Sequence, residues 1–265
     1  STQAHHLCYN SDELFSHLEA IMKITVDDQL FDTIPGLCIG VVALRAADNR
    51  DVNLEAEAFR RRCCTEANLL LKMNPHIADQ EIERYQNVLK KLSITGESGL
   101  AKTFAEYKKD LGLFEKEEAA ETPMEILPAP KTATLDELAG SDVLPRQNPI
   151  LDMVRAGMLK FHVDIHAYDM GDRSRTLSIR KTEDDVTVSL GDDLCTTGWL
   201  AEDQKAGKIT PATEDVLILI TGFAPNRKKV AAARNELARR VKSAFDRAVE
   251  VGWIEEAPHT FETDI

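Results

Sequence analysis

Four side chains near the middle of the chain carry its densest chemistry: His162, Asp164, His166 and Asp169, in the run Lys160-Phe161-His162-Val163-Asp164-Ile165-His166-Ala167-Tyr168-Asp169. On a strand, alternate residues share a face, so His162, Asp164 and His166 would converge on a metal ion. On a helix, His162 and His166 would lie one turn apart and would share one. Both geometries are permissive, and zinc takes three or four ligands with no second cluster in sight, so no metal and no cofactor is assigned. The plain reading sets one histidine in a hydrogen-bonded loop or core and the other in solvent.

The stretch that delivers these residues is Leu144 to Asp169. Pro145 and Pro149 bound its entry. Ile150, Leu151, Val154, Met158 and Leu159 then recur at helical spacing, so a buried helix is expected to feed a loop bearing His166 and the two carboxylates. Other chemistries lack their signatures. There is no serine nucleophile elbow and no Walker or Rossmann glycine fingerprint. Gly36 and Gly40 flank a strand-like run, but the turn precedes the strand, which is the wrong order for cradling a nucleotide. His5, His6 and Cys8 sit at a chain end, where order is least expected.

Around that stretch the pattern predicts helices over Asn10–Lys23, Leu54–Met73, Asp79–Leu92, Ser98–Leu111 and Lys228–Val251, the last capped by Gly252. Strands are expected at Leu37–Leu44, Thr176–Ile179, Val186–Leu190 and Val216–Thr221. The acidic, proline-bearing stretch Glu115–Pro130 reads as irregular, with a short helical turn at Leu135–Ala139. Helices dominate the first half and strands the second, so the fold class is α+β: a mixed β-sheet with flanking helices. The expected organisation is an N-terminal extension with a short helix over 1–25 and one α/β domain over 26–251. The domain includes an irregular linker at 115–143, and a tail follows at 252–265.

With 265 residues, 43% hydrophobic and 6% aromatic content, the chain has the composition of a soluble globular protein. No apolar run approaches the roughly 20 residues that cross a bilayer, so no membrane partner is expected. Ser1 to Leu7 shows no basic-then-apolar leader. The five cysteines, Cys8, Cys38, Cys63, Cys64 and Cys195, fit no zinc spacing and read as reduced thiols of a cytoplasmic protein. A net charge of −13 argues against a surface built for nonspecific nucleic-acid binding. One basic helix, Arg227 to Arg247, runs against that balance. Arg234, Arg239 and Lys242 are its candidate phosphate contacts, against the plainer reading of a solvated face.

In order along the chain, VDDQLFDTIPGLCIGVVALRAADNR, the central LPRQNPILDMVRAGMLKFHVDIHAYD and GWLAEDQKAGKITPATEDVLILITGF resemble the tRNA-editing domain of the phenylalanyl-tRNA synthetase β-subunit, in its free-standing form. The central segment carries the family's Leu-Pro, Asn-Pro, apolar-Asp and closing aromatic-Asp. A helix around Leu100–Leu111, with Phe104 and Tyr107, stands where the family has an aromatic-bearing one. The resemblance covers about Val26 to Phe245 and implies an editing-domain-like fold. It also implies hydrolysis of a wrongly attached amino acid from tRNA, by a water held in a pocket for the aminoacyl group and the terminal adenosine.

By position, the resemblance implies that His166 lines that pocket, where it would orient water or hydrogen-bond the ester region, and that Asn148, Asp152 and Asp169 lie on matching positions. It departs in two places. Val154-Arg155 replaces a threonine-asparagine pair, and Arg155 would hold a carboxylate or phosphate through its planar fork. Leu219 stands where a glutamate reads a phenol hydroxyl, which removes the reason to prefer tyrosine. Three functions therefore stay open. They are a deacylase acting on tRNA or aminoacyl-tRNA, a non-catalytic module for an amino-acid-like ligand or a protein, and a metal-dependent hydrolase using His162, Asp164 and His166.

Overall fold

A computed structural model describes residues 21–111, 144–171, 175–183, 185–201 and 204–263. The expected linker at 115–143, the turn at Leu135–Ala139, and His5, His6 and Cys8 lie outside them, as does all but the end of the helix expected over Asn10–Lys23. Within the described residues the architecture is mixed α+β with two sheets and flanking helices.

The strands are β1 Met22–Val26, β2 Cys38–Leu44, β3 Asp164–Asp169, β4 Arg175–Lys181, β5 Val186–Leu190, β6 Asp193–Thr196, β7 Val216–Gly222, β8 Val249–Ile254 and β9 Thr260–Glu262. The helices are α1 Asp28–Thr33, α2 Leu54–Met73, α3 Asp79–Lys91, α4 Gly99–Asp110, α5 Pro149–Phe161 and α6 Arg227–Phe245. The first sheet has the order β6-β5-β4-β1-β9, with β1 parallel to β4 and its other pairs antiparallel. The second has the order β3-β7-β2-β8 and is antiparallel throughout. The single mixed sheet expected from the sequence is thus two.

The second sheet positions the site. Its middle strands, β2 and β7, are buried along their whole length. That explains why CIGVVAL and VLILITG read as unbroken apolar runs rather than as alternation. On one face lies α6: a Cβ added at Gly40 would stand 3.1 Å from the Arg234 Cβ. The other face turns toward the first sheet. A Cβ at Gly252 would fall 2.3 Å from the Phe261 ring of β9, so only glycine admits that ring. Gly252 therefore belongs to β8 and does not cap a helix. Helix α6 ends at Phe245, with Asp246 in the left-handed region (φ 50°) and its N–H bonded to the Lys242 carbonyl. The expected helix to Val251 is replaced by an edge strand that pairs with β2.

Two other expectations change. Met22–Val26 is a strand between β4 and β9, so Met22 and Lys23 do not belong to the helix expected over Asn10–Lys23, and β1 and β9 bring an early and a late segment of the chain into one sheet. His166 lies on a strand, β3, rather than in a loop. Helix starts follow their caps: Asn53, Ser98 and Asn148 each accept the backbone N–H three residues on, and Pro149 takes the first turn of α5. Cys38, Cys63, Cys64 and Cys195 are buried thiols. Burial pushes the Cys38 thiol up to about 11 and the Cys63 thiol up to about 12, which keeps both in the inert form.

Candidate functional site

Asp164 opens β3 and His166 follows it on the same face, two residues along the pleat. His166 Nε2 lies 2.7 Å from Asp164 Oδ1, a contact that is an ion pair when the imidazole is protonated. The carboxylate is fully buried, and the imidazole is 16% exposed. The other oxygen, Asp164 Oδ2, accepts the Leu100 N–H at 3.2 Å. A buried carboxylate needs such partners, and the positive end of α4 supplies one.

The start of α4 is shaped for this. A Cβ at Gly99 would stand 3.3 Å from Asp164 Oδ1 and 3.5 Å from His166 Cε1, so a side chain there would crowd the pair. All four amides of the first turn are spoken for. Gly99 N–H donates to the Leu200 carbonyl, Leu100 N–H to Asp164, Ala101 N–H to Ser98 Oγ and Lys102 N–H to the Ser98 carbonyl. The helix end is therefore the mount of Asp164 and not a vacant anion site. Ser98 also bridges to Ala201, so the Gly198–Ala201 turn closes over this end of α4.

Directly across the ladder, His166 pairs with Leu219 of β7, which is buried. The same row continues through Val41 to Gly252. His166 thus has a carboxylate along its own strand and an aliphatic side chain across from it. A carboxylate beside a histidine can orient the imidazole and stabilise its protonated form. The arrangement can serve as a general base, or as an oriented hydrogen-bonding group for a bound ligand.

The remaining candidate residues lie elsewhere. His162 is not on β3. It ends α5 in the left-handed conformation (φ 54°), its ring edge-on to Phe104 at 5.4 Å. Burial, with Lys229 nearby, holds its pKa below the ordinary histidine value. The convergence of His162, Asp164 and His166 on one ion does not form, and no group of three potential ligands occurs among the described residues.

Arg155 donates to Glu106 Oε2 at 2.8 Å. Glu106 is two turns beyond Gly99 on α4, about 10 Å along its axis. The Arg155 guanidinium is thereby committed away from the His166 end of that helix. Asn148 and Asp152 serve the start of α5, where Asn148 Oδ1 accepts Leu151 N–H and Asp152 Oδ1 accepts Gln147 N–H. Burial raises the Asp152 pKa. These two residues border a small cleft of about 110 Å³ with Arg50 and Arg146. Asp169, an odd number of residues from His166, points to the opposite face. It accepts Thr213 Oγ1 at 2.6 Å and Gly171 N–H at 2.8 Å, fixing the loops after β3 and before β7.

The basic helix is largely compensated. Arg239 and Arg240 both bond Glu236, and Arg234 stacks over Trp253 while donating to the Gly252 carbonyl. Lys242 is exposed. What the sequence did not disclose is the role of Gly99 and the Leu100 amide, which reach Asp164 from a segment 64 positions earlier. The Ser-Gly start of α4 was the available signal, since glycine at a first helical position asks for a close neighbour. No protein-family model matches the chain, and no curated protein matches it.

Proposed function

We propose that the chain hydrolyses an aminoacyl ester carried on tRNA, with His166 activating water and Asp164 orienting the imidazole. The observation that carries this reading is the buried Asp164 carboxylate, 2.7 Å from His166 Nε2 and anchored on the first turn of α4. A histidine oriented by a carboxylate is suited to act as a general base. The resemblance to the editing domain of the phenylalanyl-tRNA synthetase β-subunit supplies the substrate class. Its three segments give β2, the α5–β3 unit and β7, and β3, β7 and β2 are consecutive in one sheet. That adjacency supports the likeness.

The proposed substrate is not selected by a phenol hydroxyl. Leu219 faces His166 where that recognition would need an acceptor, and an aliphatic wall discriminates by size and apolarity only. Turnover of a panel of charged tRNAs tests the proposal. The wild type should release at least one amino acid, and His166→Ala should lower that rate by about 100-fold, the usual scale of general-base catalysis. No release from any member, or equal release by the variant, removes it.

A second reading is a module that binds an amino-acid-like ligand without turning it over. It is favoured by the fully used amides at the start of α4, which leave no donor there for a developing oxyanion. A ligand-induced rise in melting temperature with no product would single it out.

A further inference from the structure

The Tyr85 hydroxyl stands where β3 and β7 begin to part. Tyr85 lies on α3 and is buried. Its hydroxyl donates to the Thr221 carbonyl at 2.6 Å and accepts the Asp164 N–H at 3.1 Å and Asn226 Nδ2 at 3.3 Å. Asp164 and Thr221 are register partners, so the phenol oxygen bridges the amide of one to the carbonyl of the other. One proton and two lone pairs are all that a hydroxyl has, and all three are used.

The line continues outward. Asn226 Nδ2 also reaches Glu81 Oε2 at 3.2 Å, and its Oδ1 accepts the Phe223 N–H at 2.7 Å. Glu81 is then held by Lys229 at 2.8 Å and by Arg84. A continuous polar path thus runs from a surface ion pair to the backbone of Asp164, inside an otherwise apolar core.

We infer that Tyr85 is a positioning residue for the Asp164–His166 pair, with Asn226 and Glu81 holding it from the surface side. Asp164 is fixed at two points: its amide by Tyr85 and its carboxylate by the Leu100 N–H. His166 is fixed separately, by its place in the ladder opposite Leu219. Without the phenol oxygen, the start of β3 loses one of its two anchors, and the carboxylate pivots on the amide of α4 while the imidazole stays. The inference rests on the proposed function only for its catalytic consequence. The geometry can be read without turnover.

Titration of His166, followed by NMR of its ring Cε1–H and assigned with His166→Ala, gives that readout. Among the described residues, Asp164 on its own strand is a charged group facing the ring, while α4 presents Gly99 and β7 presents Leu219. A displaced carboxylate stabilises the imidazolium less, so Tyr85→Phe should lower the proton affinity of His166 by about threefold. Tyr107→Phe is the control. It too removes a buried hydroxyl, one bonded to the Cys64 carbonyl and Asn68, and it should lose stability with no change at His166.

Equal midpoints for wild type and Tyr85→Phe, or an equal change in Tyr107→Phe, overturn the inference. If Tyr85→Phe does not fold, Asn226→Ala removes the next link without adding charge. It should move the midpoint in the same direction, and an unmoved midpoint overturns the inference. A moved midpoint in a protein that hydrolyses no ester upholds the positioning role and removes the deacylase reading. Intact hydrolysis with an unmoved midpoint does the reverse.

Discussion

His166 and Leu219 face each other directly across the β3–β7 ladder, on the side of the sheet that turns away from α6. Directly opposed residues in an antiparallel pair have Cβ atoms about 5 Å apart, so the side chain at 219 is the nearest cross-strand neighbour of the imidazole. Under the proposed function, the side chain at 219 would set what is recognised beside His166. Leucine there offers shape and apolarity, and no hydrogen bond.

Leu219→Glu should therefore change selectivity at a cost in stability. Leu219 is 1% exposed, and a buried carboxylate costs on the order of 3 kcal/mol even with the imidazole beside it. The melting temperature should fall by roughly 6–12 °C. Turnover of a tyrosyl ester relative to a phenylalanyl one should rise, as measured on the two charged tRNAs side by side. An unchanged ratio would show that position 219 does not touch the acyl group.

Glu236 holds Arg239 and Arg240 on α6 and lies 3.8 Å from Arg62. Burial opposes its ionisation, yet the hydrogen bonds from those arginines keep its pKa below the ordinary glutamate value. Glu236→Ala frees the exposed Arg239, while Arg240 stays against Glu55 and the Phe59 ring. If α6 contacts tRNA, affinity at low salt should rise, and the slope of log K against log salt should steepen by about one, for the one freed arginine that meets a phosphate. An unaltered slope would place the RNA elsewhere.

Acid stability should reveal the Glu57 cluster. The Arg60 guanidinium lowers the Glu57 pKa to about 2; burial opposes this, and Arg61 and Arg146 add to the lowering. A folded-state value below the ordinary 4.5 means that the native protein binds this proton less tightly than the unfolded chain. The stabilisation is complete above about 4.5 and is lost as pH falls from there toward about 2. Denaturant melts should show this loss in the wild type. Glu57→Gln should be less stable at neutral pH and should show less of the acid-dependent loss in that window.

Much of the second sheet could be read from sequence because its middle strands are covered on both faces and its apolar runs are unbroken. The helices α2, α3 and α4 were legible from caps and periodicity. The edge strands were not. β8 has only a short alternation, and its Gly252 resembled a helix stop until the Phe261 ring above it explained the glycine. β1 pairs with both β4 and β9, and pairing between segments so far apart in the chain is encoded by no local pattern.

At the site, His166 and its neighbouring carboxylate were visible, but their geometry was not. A three-ligand metal face needed His162 on the strand, and the helix instead runs to Phe161 and ends on His162. The mount of Asp164 comes from α4, and the bridge of Tyr85 comes from α3. Both are long-range contacts, and the glycine at the start of α4 is the one local signal of either. Arg155 was legible as a cation but not as the partner of Glu106.

The most direct test of the Asp164–His166 pair as a single reactive unit is a double-mutant cycle on ester hydrolysis. Single-turnover release of the amino acid would be measured for wild type, Asp164→Asn, His166→Ala and the double variant. If Asp164 acts through the imidazole, its substitution should cost much of the rate in the presence of His166 and almost nothing in its absence, so the double variant should match His166→Ala. Multiplying losses, or a wild type that releases nothing from any charged tRNA, would contradict it.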